Sequence, residues 1–181
     1  MPHHENTFCD KSRMADKIRV DGIKLSLELI QINILAHQDN QRSNKDVLRY
    51  LAENRINCPL IFYSAGAHRI QGAYCVLAEE ADRLNRVLDV DPDLKKIVEI
   101  LSPVGALSLF PHKFSLTLLG CLMNVFGKAG LPIYGMAASL SALTLTTDYE
   151  VLDHAIELLR PHISLPANHS PFRPQLRIKA I

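Results

Sequence analysis

The sequence predicts an α+β fold of two similar modules, in which antiparallel sheets carry their helices on one face. The first observation is an internal repeat, because one pattern of apolar residues occurs twice, about 75 residues apart. The repeat places Ile32, Ile34, Leu51 and Ile56 over Leu107, Leu109, Phe126 and Leu131. The second observation is that each copy reads as strand, loop, helix and strand. The third is the hydrophobic content, 48% of 181 residues, which suits an ordinary core.

The first copy begins with one strand or a pair of short strands in residues 22–36, where Leu and Ile recur at alternate positions. A polar loop, residues 37–42, follows. Ser43 is the predicted N-cap of a helix that ends near Arg55, because its hydroxyl is suited to accept a hydrogen bond from the first helical turn. The first copy therefore opens as strand, loop and helix.

The same copy continues with a strand at residues 58–63 and a returning strand at 73–77. Residues 64–72 are predicted to be the turn or hairpin end between them. An amphipathic helix is predicted at residues 79–88, and Asp91 followed by Pro92 predicts the start of another short helical element. These elements complete a strand-helix-strand-strand-helix order.

The second copy repeats this order. We predict a strand at residues 104–110, a helix at 114–128 that Gly130 ends, and strands at 131–138 and 140–145. Thr147 and Glu150 have the spacing of a capping box at the start of a helix that extends to Leu159. Residues 162–165 form a last candidate strand. Two such copies match the βαββαβ pattern of ferredoxin-like modules.

The predicted modules cover residues 21–98 and 99–167. Residues 1–20 are expected to be a disordered tail, and residues 168–181 a C-terminal tail that could add a strand. Two alternatives stay open for the fourth strand of the first copy, which comes either from residues 96–101 or from residues 176–181. In the second case the two copies would be interleaved.

The segment 102–147 predicts an interface, because its formally charged side chains are Lys113 and Lys128 alone. A ferredoxin-like sheet leaves one face without helices, and an exposed apolar surface of this size usually contacts a partner. The alternative is a monomer core that the chain itself covers. We expect a homodimer.

Composition argues against several classes of partner. The net charge is +1 with dispersed Lys and Arg, which disfavours nucleic acid. The longest apolar stretch, residues 116–126, is shorter than the roughly 18 residues of a membrane span, so a cytoplasmic protein without membrane contact is expected. The four cysteines show no C-x-x-C pair and are expected to be buried free thiols. We expect no metal site and no cofactor.

Two short segments carry a resemblance to a known family. Arg55-Ile56-Asn57-Cys58-Pro59-Leu60-Ile61 resembles the start of the second strand of an ACT domain, and Ala129-Gly130-Leu131-Pro132-Ile133-Tyr134 resembles its second occurrence. Residues 143–159 are similar to the last strand pair and helix of that domain. Over residues 21–165 the chain resembles the tandem ACT regulatory region of aspartokinases.

This resemblance implies a small-molecule sensor, usually of an amino acid, that binds its ligand between ACT modules and acts on a partner enzyme. In the family, the loop after the first strand and the start of the second strand hold the ligand. By position, the implied ligand-binding residues are Gln38, Asp39, Asn40, Ser43, Asn57 and Cys58 in the first copy, and His112, Lys113, Phe114, Ser115 and Ile133 in the second.

The chain departs from the family pattern at three positions. Arg42 and Thr117 stand where the family has a glycine that lets backbone approach the ligand. Pro132 replaces the usual Asn and removes a backbone donor. The first copy is therefore the better candidate for ligand binding.

Enzyme activity is not expected. The sequence has no glycine-rich phosphate loop, no nucleophile elbow and no pair of acidic metal-binding motifs, and it has no room for a kinase domain. The alternative function is a structural dimerisation or protein-docking module that has lost its ligand site.

Overall fold

A computed structural model describes residues 17–34, 40–65, 70–90, 92–110, 116–167 and 171. The strands are β1 (Ile18–Arg19), β2 (Gly22–Leu25), β3 (Leu29–Ile34), β4 (Leu60–Ala65), β5 (Ile70–Leu77), β6 (Val98–Phe110), β7 (Gly135–Ala138), β8 (Leu143–Asp148) and β9 (Ile163–Ser164). The α-helices are α1 (Asn40–Glu53), α2 (Ala81–Val90), α3 (Pro92–Ile97), α4 (Leu116–Ala129) and α5 (Leu152–Leu159). Short 3-10 turns, Ala78–Glu80 and Tyr149–Val151, precede α2 and α5.

One antiparallel sheet of seven strands joins both copies of the repeat. Its order is β4-β5-β3-β6-β8-β7, and β2 also pairs with β6. The strands β2 and β3 follow each other along β6, with Leu25 opposite Leu107 and Leu29 opposite Val104. The prediction of an α+β fold with antiparallel strands is confirmed, but the strands form one continuous sheet because β6 serves both copies.

The strand β6 is longer than predicted. It begins at Val98 instead of residue 104, and its first residues pair with β3. Of the two segments considered for the strand beside β3, residues 98–101 of the first one pair with it. The predicted boundary between residues 98 and 99 falls at the start of β6. Residues 176–181 lie outside the described residues.

The ends of α1 and α4 show the repeat in atomic detail. Arg55 and Gly130 both have positive φ, 54° and 66°. After α1, the Ile56 amide donates to the Leu51 carbonyl at 2.8 Å, and after α4, the Leu131 amide donates to the Phe126 carbonyl at 3.0 Å. In both cases the amide bonds to the carbonyl five residues earlier, which is the hydrogen bond that defines a Schellman motif. The two helices thus end in the same way at the positions that the repeat aligns.

Each group of helices packs on one face of the sheet. The first core holds α1, α2 and α3 against β3 and β5 through buried side chains that include Val47, Leu51, Leu84, Leu94, Ile32 and Tyr74. The second core holds α4 and α5 against β6 and β8 through Leu122, Phe126, Ile156, Leu107 and Leu145. These apolar stripes at helical spacing confirm the predicted amphipathic helices.

The helix-free faces of the two halves meet in a third core. Leu29 and Cys75 from the first half pack there with Val104 and Ala106 from the second, and all four are buried. Phe62 and Tyr134 extend this core from the outer strands β4 and β7. Part of the face that was expected to need a partner is therefore covered within the chain.

Several predicted element ends were wrong for identifiable reasons. The helix α1 begins at Asn40, so Ser43 lies within the helix instead of at the predicted N-cap position. Thr147 does not form a capping box with Glu150, because it belongs to β8 and pairs with Gly105. Its Oγ1 is buried without a hydrogen-bond partner.

The strands around the last hairpin are shorter than predicted. Residues 131–134 are not a strand, because the Leu131 amide closes the end of α4. The returning strand begins at Leu143, since the Ser139 hydroxyl accepts a hydrogen bond from the Ala142 amide at 3.0 Å and forms a turn there.

The first and last described strands form a small parallel sheet, in which β1 pairs with β9. Residues 17–20 of the expected tail are thus structured, and Val20 is fully buried. Residues 1–16 lie outside the described residues, as does all of 168–181 except Pro171. In the part of the chain that the structure describes, no helix is long and apolar enough to cross a membrane.

Candidate ligand-binding cleft

A cleft of about 690 Å³ lies between the outer strands of the two halves. Its walls come from β3, β4, β5 and the start of β6 on one side and from Tyr134 and β7 on the other. The lining residues are Asn33, Ile34, Ile61, Phe62, Tyr63, Ser64, Gly72, Ala73, Glu99, Tyr134, Gly135, Met136, Ala137 and Ala138. A volume of this size is typical of small-molecule sites, which usually lie between structural units.

A close backbone approach holds the two walls together. A Cβ atom added to Gly135 would lie 2.8 Å from the Phe62 ring. Glycine is therefore needed in β7 where the aromatic ring of β4 packs against it. Both residues line the cleft, and their contact keeps β4 beside β7.

Gln31 lies behind the cleft, where the two halves of the chain meet. Its side chain is fully buried. The Nε2 group donates to Asn33 Oδ1 at 2.8 Å and to the Tyr134 carbonyl at 3.3 Å, while Oε1 accepts from the Thr146 hydroxyl at 2.7 Å. A buried amide needs such partners, because an unpaired polar group in a core costs free energy. One side chain thus joins β3 to both β8 and the residue before β7.

The acidic group of the cleft is Glu99. Its Oε2 accepts a hydrogen bond from Asn33 Nδ2 at 3.1 Å. Glu99 is the one formally charged residue among the described residues that line the cleft. A carboxylate held beside an amide in a largely uncharged cleft is suited to bind an ammonium group.

Tyr134 anchors the opposite wall. Its amide donates to the Thr146 carbonyl at 2.9 Å, and its hydroxyl donates to Asp148 Oδ1 at 2.6 Å. The hydrogen bond to the Asp148 carboxylate, together with burial, raises the pKa of the Tyr134 hydroxyl above its ordinary value. The hydrogen bond to Asp148 holds the hydroxyl of Tyr134 at this wall of the cleft.

The predicted site residues are only partly within the described chain. Asn40 is the first residue of α1, and Ser43 lies in the same helix. Asn57 is exposed, Cys58 is half-buried against the first core, and Ile133 is half-buried against the second. None of these three lines the cleft. The predicted residues outside the described ranges are Gln38, Asp39, His112, Lys113, Phe114 and Ser115.

The two predicted loops start at opposite ends of the sheet. Ile34, which lines the cleft, is the last described residue before the first loop, whereas the second loop follows Phe110. Glu99 and Phe110 lie near the two ends of β6, and the extended strand between them is about 36 Å long at 3.3 Å per residue. Sequence reasoning missed Asn33 and Glu99. The signal at Asn33 was a polar residue within an apolar alternating strand.

The described residues contain no cluster of three or more His, Cys, Asp or Glu side chains that could hold a metal ion. Cys75 and Cys121 are buried free thiols, as predicted, whereas Cys58 is a half-buried free thiol and Cys9 lies outside the described residues. Burial raises the pKa of Cys75 to about 12 and that of Cys58 to about 11. Thiols with such pKa values are poor nucleophiles at neutral pH.

The fold is that of the regulatory regions of aspartate kinases, so the resemblance inferred from the sequence is confirmed at the level of fold. The regulatory subunit of aspartate kinase from Thermus flavus is 20% identical, with a TM-score of 0.64 over 78% of this chain and 96% of that one. The ligand-free regulatory subunit from Thermus thermophilus is 19% identical, with a TM-score of 0.65 over 79% and 97%.

A catalytic aspartokinase contains the same fold as one part of a longer chain. Aspartokinase III of E. coli, solved with aspartate and ADP, is 14% identical, with a TM-score of 0.59 over 77% of this chain and 32% of its own. No protein-family model and no curated protein matches the chain.

The buried thiol behind the cleft predicts a loss of stability at alkaline pH. Cys75 in the folded state holds its proton up to a pKa of about 12, compared with 9.0 for an ordinary thiol. Between these values the unfolded state has lost the proton and the folded state has not, so stability falls as pH rises. We expect Cys75 to account for a fall of about 2 kcal/mol in the free energy of unfolding between pH 8 and pH 10.5.

Urea unfolding of the wild type and of Cys75→Ala at these two pH values measures the effect. The wild type should lose about 2 kcal/mol more than the variant. An equal loss in both proteins would show that Cys75 titrates in the folded state as it does in the unfolded one.

Proposed function

We propose that this protein is a non-catalytic regulatory protein that binds a small metabolite of the amino-acid class in the cleft. The observation that carries the proposal is the cleft itself, because β3 to β6 of one half and β7 of the other line it together. A ligand that contacts both walls favours the arrangement in which they are close, and it shifts the equilibrium by its difference in affinity. The fold shared with aspartate kinase regulatory subunits supports a regulatory role.

The proposal includes two ferredoxin-like ACT modules that share β6. The first would consist of β3, α1, β4, β5, α2, α3 and the start of β6. The second would consist of the rest of β6, α4, β7, β8, α5 and, as its fourth strand, β2. The sheet order supports this division, because β2 and β8 flank the second part of β6 as β3 flanks the first. In sequence order, elements of the second module would thus come both before and after those of the first.

The cleft residues suggest how an amino acid would bind. Glu99 would pair with the α-ammonium group, with Asn33 keeping the carboxylate in place. Phe62 and Met136 offer apolar surface to the side chain. The ligand carboxylate would lie toward the start of α1, because helix N-termini favour anions.

A homodimer is part of the proposal. Leu116, Met123 and Leu140 are large apolar residues that are exposed on the low-charge segment of the second half. Such residues on one segment support contact with a second copy. Binding in the cleft would then reach a partner through the dimer.

A thermal-shift screen against the common amino acids tests the proposal. We expect a saturable rise in Tm with at least one of them, because a ligand that binds only the folded state stabilises it. Glu99→Gln should weaken that binding at least about tenfold, since it removes the charge that pairs with the ammonium group.

Glu157→Gln is the matched control, because Glu157 is an exposed glutamate on α5 and does not line the cleft. It should bind the amino acid as the wild type does. The absence of any shift, or equal binding by Glu99→Gln, would contradict the proposal. The docking module would then be the remaining interpretation.

A further inference from the structure

A second cavity, of about 270 Å³, lies at the other side of the junction between the halves. It shares no lining residue with the cleft. Its wall from the first half includes Leu29, Leu60 and Leu77, and its wall from the second half includes Ala106, Ser108 and Thr144.

The polar groups of this cavity form a row. Lys24 on β2 lies opposite Ser108 on β6, and Ser108 lies opposite Thr144 on β8. Residues directly opposite each other on neighbouring strands project from the same face of the sheet, with strands about 4.8 Å apart. An ammonium group and two hydroxyls therefore line one side of a cavity whose other wall is aliphatic.

The hydroxyl pair retains a donor for a ligand. Ser108 Oγ and Thr144 Oγ1 lie 2.8 Å apart, and one of them donates to the other. Two hydroxyls carry two hydrogens and this bond uses one, so the other hydrogen is available. Lys24 is exposed and has no ion pair within the described chain. A carboxylate at this place would accept hydrogen bonds from both groups.

The cavity is not suited to a free amino acid. None of its described lining residues is acidic, so an α-ammonium group would lose its hydration without gaining a charged partner. The leucine side chains instead match a branched alkyl group, whose burial is favourable in proportion to its apolar area. The same features that admit a carboxylate therefore disfavour a zwitterion.

We propose that this second cavity is a binding site for a short branched-chain carboxylate without an amino group. The alkyl group packs between Leu29 and Leu60, and the carboxylate contacts Lys24 and the hydroxyl pair. Because its walls come from both halves, the ligand stabilises their junction independently of the cleft. The inference does not depend on amino-acid binding in the cleft.

Calorimetric titration of the full chain with 3-methylbutanoate tests this inference. We expect saturable binding, and at least about tenfold weaker binding of 3-methylbutan-1-ol, which keeps the alkyl group but lacks the carboxylate. Leucine, which adds the ammonium group, is titrated into Glu99→Gln, in which the cleft is impaired, and should bind at least about tenfold more weakly than 3-methylbutanoate does. Methyl NMR spectra should show shifts of Leu29 and Leu60 on binding of 3-methylbutanoate.

Two variants locate the carboxylate. Lys24→Gln removes an exposed charge and should weaken binding of 3-methylbutanoate about tenfold. Thr144→Val should weaken it by a smaller factor, because it removes one hydroxyl with little change of shape. Lys128→Gln is the matched control, since Lys128 is an exposed lysine at the end of α4, and it should leave the affinity unchanged.

The inference is overturned if 3-methylbutanoate shows no saturation at millimolar concentration. It is equally overturned if the alcohol binds as tightly as the acid, or if Lys24→Gln and Lys128→Gln bind alike. Loss of this site leaves the amino-acid screen with Glu99→Gln unaffected, so failure of either proposal is distinguished from failure of the other.

Discussion

Gly72→Ala is expected to lower the free energy of unfolding by about 3 kcal/mol, because overpacking a core and breaking a buried hydrogen bond each cost about 1–3 kcal/mol. An added Cβ would lie 2.8 Å from the Tyr74 hydroxyl and closer still to Asn44 Oδ1. These two groups form a hydrogen bond of 2.6 Å, and both residues are buried. The new methyl group cannot be accommodated without moving them apart.

Gly120→Ala is the matched control for this prediction. Gly120 lies in α4, and an added Cβ would have no neighbouring atom within 4 Å. Alanine should raise stability there by about 0.5–1 kcal/mol, because glycine is costly within a helix. Urea unfolding of both variants measures the difference. A similar small effect at both positions would show that the first core adapts to the extra methyl group.

Gln31→Met is expected to lower the free energy of unfolding by about 3 kcal/mol, although methionine has nearly the same length. The variant leaves the buried Thr146 hydroxyl without its acceptor and the Tyr134 carbonyl without its donor. A buried polar group that loses its partner costs about 1–3 kcal/mol. This amide joins β3 to β8 and to Tyr134, so its loss should affect both halves.

A double-mutant cycle with Thr146→Val separates this network from simple loss of volume. The double variant should be more stable than Gln31→Met alone, because replacing both partners by apolar groups leaves no unpaired hydroxyl. The urea midpoints of the four proteins measure the coupling. Strictly additive effects would show that the hydrogen bond between Gln31 and Thr146 contributes nothing of its own.

The elements that depend on local pattern could be predicted from the sequence. Leu51 and Ile56 were aligned with Phe126 and Leu131, and these pairs make the same helix-closing hydrogen bond in the structure. Such motifs involve residues within one turn of each other, so a short window contains all the information. The helical face of α5 was predictable for the same reason.

The junction could not be predicted in this way. Gln31 and Thr146 are 115 positions apart in the chain, and Asn33 and Glu99 are 66 apart. A single sequence does not show which distant polar residues meet. The predicted capping box was wrong for a similar reason, because Thr147 pairs with Gly105 in the sheet. At such positions, pairing with a distant strand overrides the structure that the local sequence favours.

The candidate site, too, could be predicted from the sequence only in part. The resemblance to ACT domains implied a site at the start of the second strand, and Tyr134 of the quoted second segment does line the cleft. Its partners in the opposite wall come from β3, β4 and β6, which only the folded sheet brings there. The cleft is thus visible in the structure and not in either segment alone.

A crystal structure of the protein grown with the amino acid that gives the largest thermal shift tests the central claim most directly. The claim is that an amino acid binds between the two halves. We predict electron density for the ligand in the cleft, with its ammonium group within hydrogen-bond distance of Glu99 and its side chain against Phe62. Density beside Asn57 and Cys58, with an empty cleft, would contradict the account.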